Sequence, residues 1–171
     1  MILPEKIKSI LQVCYPVAIV CCMLTVVSCD PPNYIFEDNA SFTIEKPWLF
    51  GDSIVYTFKV KDTNRFYNLL LEIDHNKKYQ WENLYVKIDT KYPDQQLKTQ
   101  ELSILMADES GEWYSDCRGK TCTFYLPLQE QALFPQMGEY QIKIQPWMRE
   151  DTIKDIYRIG FKVERDKKRK S

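Results

Sequence analysis
Apolar and polar side chains alternate through most of this chain with the period of two that belongs to half-buried strands. Ile54, Tyr56, Phe58 and Val60 alternate with Val55, Thr57 and Lys59. Leu69, Leu71 and Ile73 alternate with Asn68, Leu70 and Glu72, and Leu84, Val86 and Ile88 with Tyr85, Lys87 and Asp89. Four further runs follow: Leu102, Ile104 and Met106; Cys122, Phe124 and Leu126; Tyr140, Ile142 and Ile144; and Tyr157, Ile159, Phe161 and Val163. Turn formers separate them, at Asp62-Thr63-Asn64, Asp74-His75-Asn76-Lys77, Tyr92-Pro93-Asp94, Asp108-Glu109-Ser110-Gly111 and Met137-Gly138. The pattern predicts at least seven strands and an all-β fold, an antiparallel β-sandwich of jelly-roll or immunoglobulin-like type. Only two short stretches read as helical, Gln129 to Phe134 and Met148 to Lys154.

The first 28 residues break this pattern. Lys6 and Lys8 precede an apolar stretch from Tyr15 to Val27, and small Ser28 stands before Cys29. That is the architecture of a lipoprotein signal peptide, cleaved at residue 28. The thiol of Cys29 takes a diacylglyceryl group as a thioether, and the amine freed by cleavage takes a further acyl chain such as palmitate. Each buried CH₂ contributes roughly 0.8 kcal/mol, so two or more chains anchor stably. The alternatives are an ordinary secretion signal and an uncleaved anchor, since Ile10 to Val27 is apolar enough to approach a bilayer span. Gln12 and Pro16 interrupt that run, and only the lipoprotein reading requires a cysteine where it stops.

The organisation that follows is a leader over 1–28, lipidated Cys29 with an extended Asp30-Pro31-Pro32-Asn33 tether over 29–33, one domain over 34–164 and a basic tail over 165–171. Removing 28 residues from 171 leaves 143, the size of a single domain. Net charge is −1 and carries no message. The tail, Arg165-Asp166-Lys167-Lys168-Arg169-Lys170, sums to +4; it reads as a solvated terminus, with contact to anionic lipid or a partner as the alternative. An export signal argues against nucleic acid as a partner.

Six cysteines occur, at 14, 21, 22, 29, 117 and 122. Three leave with the leader and one carries lipid, so an oxidising export route makes Cys117 and Cys122 an expected disulfide. So short a loop gains about 2 kcal/mol in the entropic model. A free pair or half a zinc site are the alternatives; the second lacks ligands, since His75 is the one histidine. No metal and no cofactor beyond the covalent lipid is expected.

Catalytic signals are sparse. A Ser-His-Asp system would have to use His75, which stands in a hydrophilic sequence and reads as a solvated turn residue. With 5 glycines there is no phosphate-cradling loop. A glycosidase-like acid pair drawn from Asp62, Asp74, Glu82, Asp108, Glu150 and Asp151 is open, although each acid sits in an ordinary turn or strand end. The expectation is no enzyme. Trp48, Phe50, Trp81, Trp113 and Trp147 stand near strand ends, where rings more often close a core than form a sugar-stacking platform.

The chain resembles the GldH family, gliding-motility lipoproteins of Bacteroidetes. The resemblance rests on the leader and Cys29; on Trp48, Tyr56-Thr57-Phe58 and Asp62-Thr63; on Tyr67-Asn68-Leu69, Tyr79 and Asn83-Leu84-Tyr85; on Gly111-Glu112-Trp113; and on Gly138-Glu139-Tyr140, Gln145, Met148-Arg149, Ile156 and Gly160. Asp74-His75 stands where a basic residue is expected, and Pro146-Trp147 is inserted before Met148-Arg149. The resemblance implies an envelope lipoprotein needed for gliding, acting by protein interaction beside the motility and type IX secretion machinery. Asn83, Trp113, Arg149 and Glu150 are the candidate docking residues; the structural alternative is that Asn83 and Arg149 brace loops. The expected address is the outer membrane, facing the periplasm. A surface carbohydrate-binding lipoprotein is the rival, and a glycan-acting enzyme with a carboxylate pair the third reading.

Overall fold
A computed structural model describes residues 31–169. The leader, Cys29 and Asp30 lie outside the described residues, as do Lys170 and Ser171. Every described strand pairing is antiparallel. The strands are β1 (Tyr34–Ser41), β2 (Trp48–Leu49), β3 (Ile54–Val60), β4 (Arg65–Asn76), β5 (Asn83–Lys91), β6 (Leu97–Leu105), β7 (Asp116–Arg118), β8 (Thr121–Ala132), β9 (Gly138–Pro146), β10 (Thr152–Ile153) and β11 (Ile156–Arg169). A five-stranded sheet in the order β1-β11-β4-β8-β7 faces a four-stranded sheet in the order β3-β9-β5-β6, and β10-β2 forms a separate ribbon. The expected all-β sandwich is the observed fold.

The alternation places the core. In β3, Ile54, Tyr56, Phe58 and Val60 are buried while Val55, Thr57 and Lys59 are exposed. Leu69, Leu71 and Ile73 of β4 and Leu84, Val86 and Ile88 of β5 are likewise buried. Phe161 of β11 is fully enclosed, with ring contacts to Phe36, Tyr56 and Phe58. The Tyr56 hydroxyl crosses between the sheets and donates to the Ile159 carbonyl at 2.6 Å. Burial pushes that phenol well above its ordinary range, so it stays a neutral donor.

Four sequence expectations change. Gln129 to Phe134 is not helical: β8 continues to Ala132, paired to β4 through Leu69↔Gln129 and Tyr67↔Ala132, with Gln131 at φ 50. Met148 to Lys154 is not helical either, because β10 within it pairs with β2. As far as Arg169 the basic segment does not leave the sheet; the Arg165 amide donates to the Asn33 carbonyl at 2.8 Å and β11 runs to Arg169. His75 is no turn residue, but the fully buried penultimate residue of β4.

The outer face of the larger sheet is held by charge. Arg158 donates to Glu72 and to Asp74, each at 2.6 Å, and Lys162 lies 3.0 Å from Glu72 and 2.9 Å from Glu37. Burial alone would raise the Glu72 pKa, but the hydrogen bonds from Arg158 and Lys162 together outweigh it and hold the carboxyl below its ordinary value. Gly160 leaves room here, since a Cβ would sit 3.4 Å from both Arg158 and Glu72.

Strand directions define two ends. One, the tether end, holds the start of β1, the turn 61–64, the loop 92–96, the segment 133–137 and the end of β11. The far end holds the loop 42–47, the ribbon, and the segments 77–82 and 147–155.

Candidate functional site
Register builds the site at the far end. Val86 of β5 opposes Pro146, the last residue of β9, and the next amide, Trp147, donates to the Tyr85 carbonyl at 2.8 Å. The chain therefore carries Trp147 alongside Tyr85 on the outer face, and Met148 turns inward, where its Sδ receives the Tyr85 amide at 3.3 Å. Lys87, two residues along β5, holds its Nζ 5.2 Å from the Trp147 ring centroid. Phe50 approaches from the ribbon, its amide donating to the Asp151 carbonyl at 2.9 Å, and stacks on Trp147 with centroids 6.0 Å apart.

Trp81 completes the wall. It precedes β5 and is held by its neighbour Glu82, whose carbonyl accepts the Met106 and Ala107 amides at 2.7 and 3.2 Å. Trp81, Asn83, Tyr85, Trp147, Met148, Arg149 and Glu150 enclose an open cavity of about 420 Å³. Trp81 is 45% and Trp147 43% exposed. A smaller hollow of about 90 Å³ adjoins it through Trp81, Met148 and Glu150, and reaches Tyr79. Burial first, and Glu150 second, raise the Tyr79 phenol far above its usual pKa.

Of the four candidate docking residues, Asn83, Arg149 and Glu150 meet on this rim, whereas Trp113 does not. The Asn83 amide donates to the Tyr85 hydroxyl at 3.1 Å and the Ser103 hydroxyl at 3.4 Å, contacts with side chains and not loop carbonyls. Among the described residues, neither Arg149 nor Glu150 forms an ion pair, so both charges are available to an incoming molecule. Trp113 instead covers His75, with centroids 4.5 Å apart, and donates from Nε1 to the Lys77 carbonyl at 3.2 Å. Cys117 and Cys122 are bonded, as register partners across β7 and β8. Cys29 lies outside the described residues.

The aromatic residues divide. Trp48 is fully buried and stacks on Phe42 with centroids 5.4 Å apart, as a core lid should. Phe50, Trp81 and Trp147 are not lids. Tyr85 and Lys87 carried a legible signal, because Leu84 and Val86 must face inward and their neighbours must therefore face out.

Among the described residues, His75 and Ser115 form the one contact resembling catalytic machinery, with Nε2 and the hydroxyl 2.8 Å apart. The Asn76 carbonyl, 3.0 Å from Nδ1, can only accept, so Nδ1 carries the proton and Nε2 accepts from Ser115. Burial lowers the His75 pKa and keeps the ring neutral. The adjacent carboxylate does not orient it: Asp74 points to the other face of β4, where Arg158 and Thr123 bind it. Among the acids considered as a pair, Asp62 contacts Arg65 at the tether end, and Asp108 accepts the Ser110 and Glu112 amides of its own turn. Glu150 alone of the six lines the larger cavity.

The family model described as GldH lipoprotein matches residues 34–163. A curated relative, the gliding motility lipoprotein GldH homolog of Christiangramia forsetii, is 26% identical over 145 residues, covering 81% of this chain and 87% of its own. Among solved structures, the CBM22-1–GH10 modules of the Clostridium thermocellum endo-1,4-beta-D-xylanase 10B complexed with xylohexaose superpose with a TM-score of 0.34 at 10% identity. That match covers 80% of this chain and 29% of the xylanase chain.

Proposed function
From the premise that this chain belongs to the GldH lipoprotein family, gliding-motility lipoproteins anchored by lipid in the cell envelope, we propose that its sandwich is a non-catalytic protein-docking component. It works alongside the motility and type IX secretion machinery. The observation that carries this reading is the rim of Trp81, Tyr85 and Trp147 bearing the unpaired charges of Arg149 and Glu150. Exposed Trp, Tyr and Arg gathered on a cavity have the composition of an interface hot spot.

Cys29 carries the lipid, and the leader before it is removed. Tyr34 begins β1 five residues later, so the tether reaches at most about 18 Å. β5 spans about 30 Å from Lys91 to Asn83, so the rim lies at the end of the sandwich opposite Tyr34, where the tether joins the domain. The membrane is the outer one and the domain faces the periplasm. Asp30 follows the cysteine and no acidic run follows it, so nothing in the tether reads as a surface-export tag. Protease shaving of whole cells tests the orientation: the domain should survive, and surface cleavage would contradict it.

The docking reading is tested by pull-down from native envelopes with the lipidated protein as bait. Recovery of a motility or secretion component by the wild type, but not by a Trp147→Ala, Arg149→Glu double variant, is the expected result. Equal recovery by both would refute the rim, and recovery of no such component would refute the role.

A carbohydrate-binding reading draws support from the shared cavity of exposed Trp81 and Trp147. Against it, Phe50 and Lys87 already contact the Trp147 ring, which reduces the face a pyranose would need. Titration with envelope glycans, followed by tryptophan fluorescence, should give no saturable change.

A further inference from the structure
We infer that β6 is a docking edge for an extended segment of a partner protein, which joins the smaller sheet as a further strand and sets alternate apolar side chains into the cleft between the sheets. The inference is independent of the rim of Trp81 and Trp147, and adds a second surface with its own class of partner.

The pairing leaves this edge open. Strand β6 is the last strand of its sheet and pairs with β5 along all 9 of its residues without a register shift. The Met106 amide donates to the Glu82 carbonyl at 2.7 Å, and the Trp147 amide to the Tyr85 carbonyl at 2.8 Å. Antiparallel ladders alternate, so the even-numbered residues of β5 bond to β6 and the odd-numbered ones to β9. Lys98, Gln100, Leu102 and Ile104 therefore direct their amides and carbonyls to β5. Leu97, Thr99, Glu101, Ser103 and Leu105 turn theirs outward, and among the described residues none meets a backbone partner there.

The sandwich is also unfinished on this side. At the opposite side, Phe36 of β1 closes against Tyr56 and Phe58 of β3, with ring centroids 6.2 and 5.9 Å apart. Between β6 and β8, by contrast, a cleft of about 350 Å³ opens, floored by Leu69, Ile88, Tyr140 and Phe161 and walled by Leu102 and Leu128. The inner face of β3 is buried throughout, whereas on the inner face of β6 Lys98 and Gln100 are exposed and Leu102 is half-buried. Across the cleft, β8 pairs with β7 only from Thr121 to Thr123, and beyond it Pro127 and a register shift make β8 irregular. The regular edge is β6.

These features select the occupant. Outward amides and carbonyls at every second residue are complemented by an extended backbone, and the cleft beside them takes side chains from every second position of that backbone. Lys98 faces the cleft opposite Thr90 and forms no ion pair among the described residues. An inward charge guards an edge against indiscriminate pairing, and here it favours a segment with an acidic residue at that end.

The test pans a random peptide display library on the lipidated full-length protein in detergent, with counter-selection on a Glu101→Pro variant. Proline there removes one outward donor and leaves the β5 ladder intact, so the variant should fold with an unfolding midpoint close to that of the wild type. Peptides that alternate apolar residues and carry an acid should be enriched. A synthetic peptide of the enriched sequence should bind several-fold more weakly to Glu101→Pro and to Lys98→Glu, and equally well to Trp147→Ala, Arg149→Glu. Bound peptide should slow amide hydrogen exchange several-fold at Thr99, Glu101 and Ser103. No enrichment over the counter-selected variant would overturn the inference, as would protection confined to residues 81–85 and 147–150, which would move peptide binding to the rim. Palmitate that gives the same protection would make the cleft a lipid site, and protection that grows with protein concentration alone would make β6 a contact between copies. Either result would also overturn it.

Discussion
The indole of Trp147 stacks on the phenyl ring of Phe50, with centroids 6.0 Å apart and planes 27° from parallel. Trp147 follows β9 and Phe50 follows β2, so the contact ties the ribbon to the end of the smaller sheet. Both residues remain about half exposed. A pair kept half in water contributes little to folding, and its exposure is what the proposed docking role accounts for.

Replacing Trp147 with Ala should therefore lower stability by about 1 kcal/mol or less. Urea unfolding of the variant should shift only slightly while partner capture is lost. A loss as large as that of a core tryptophan would make the ring structural and remove the main argument for the rim.

Tyr56→Phe isolates the bond between the sheets. The hydroxyl is buried and its acceptor, the Ile159 carbonyl, has no access to water as a substitute, so the variant should lose roughly 1–2 kcal/mol. The midpoint of urea unfolding should fall with an unchanged slope, because the same surface is exposed on unfolding.

His75 predicts a pH dependence. Its folded pKa is lowered from 6.5, so the unfolded chain takes up a proton first as pH falls. The stability this ring contributes is complete above pH 6.5 and is lost as pH drops through the lower folded value. Unfolding measured across this window should show the decline in the wild type and lack that component in His75→Gln.

Gly138→Ala tests the tether end from the inside. Gly138 has a φ of 141°, and an added Cβ would lie 2.8 Å from Cβ of Pro93. Strain and clash act together, and a destabilisation of roughly 2 kcal/mol is expected. A neutral variant would mean that the loop 92–96 yields freely.

Much of this fold could be read from alternation, because strands such as β3 and β5 bury one face and expose the other. Strand β1 could not: Glu37, Asp38 and Asn39 break its apolar pattern, and what holds it is pairing with β11, the packing of Phe36 on the core and the Glu37 contact to Lys162. The helical expectation over Gln129 to Phe134 failed for a related reason, since polar residues continue an exposed strand when a neighbour supplies the pairing. His75 stands in a sequence that reads as a turn, yet β4 extends through it and the turn forms at Lys77. For the site, polar residues at strand ends led to Asn83, Arg149 and Glu150, and these meet because β5 begins where β9 ends. Trp113 was drawn elsewhere by the need to cover a buried histidine, a contact between residues 75 and 113 that local sequence does not encode.

Docking at the rim is tested by surface spreading of a deletion strain complemented with the Trp147→Ala, Arg149→Glu variant, at matched protein level and membrane fraction. The rim predicts that the wild-type chain restores spreading and the variant, although folded and anchored, does not. Full spreading by the variant would contradict docking at this rim.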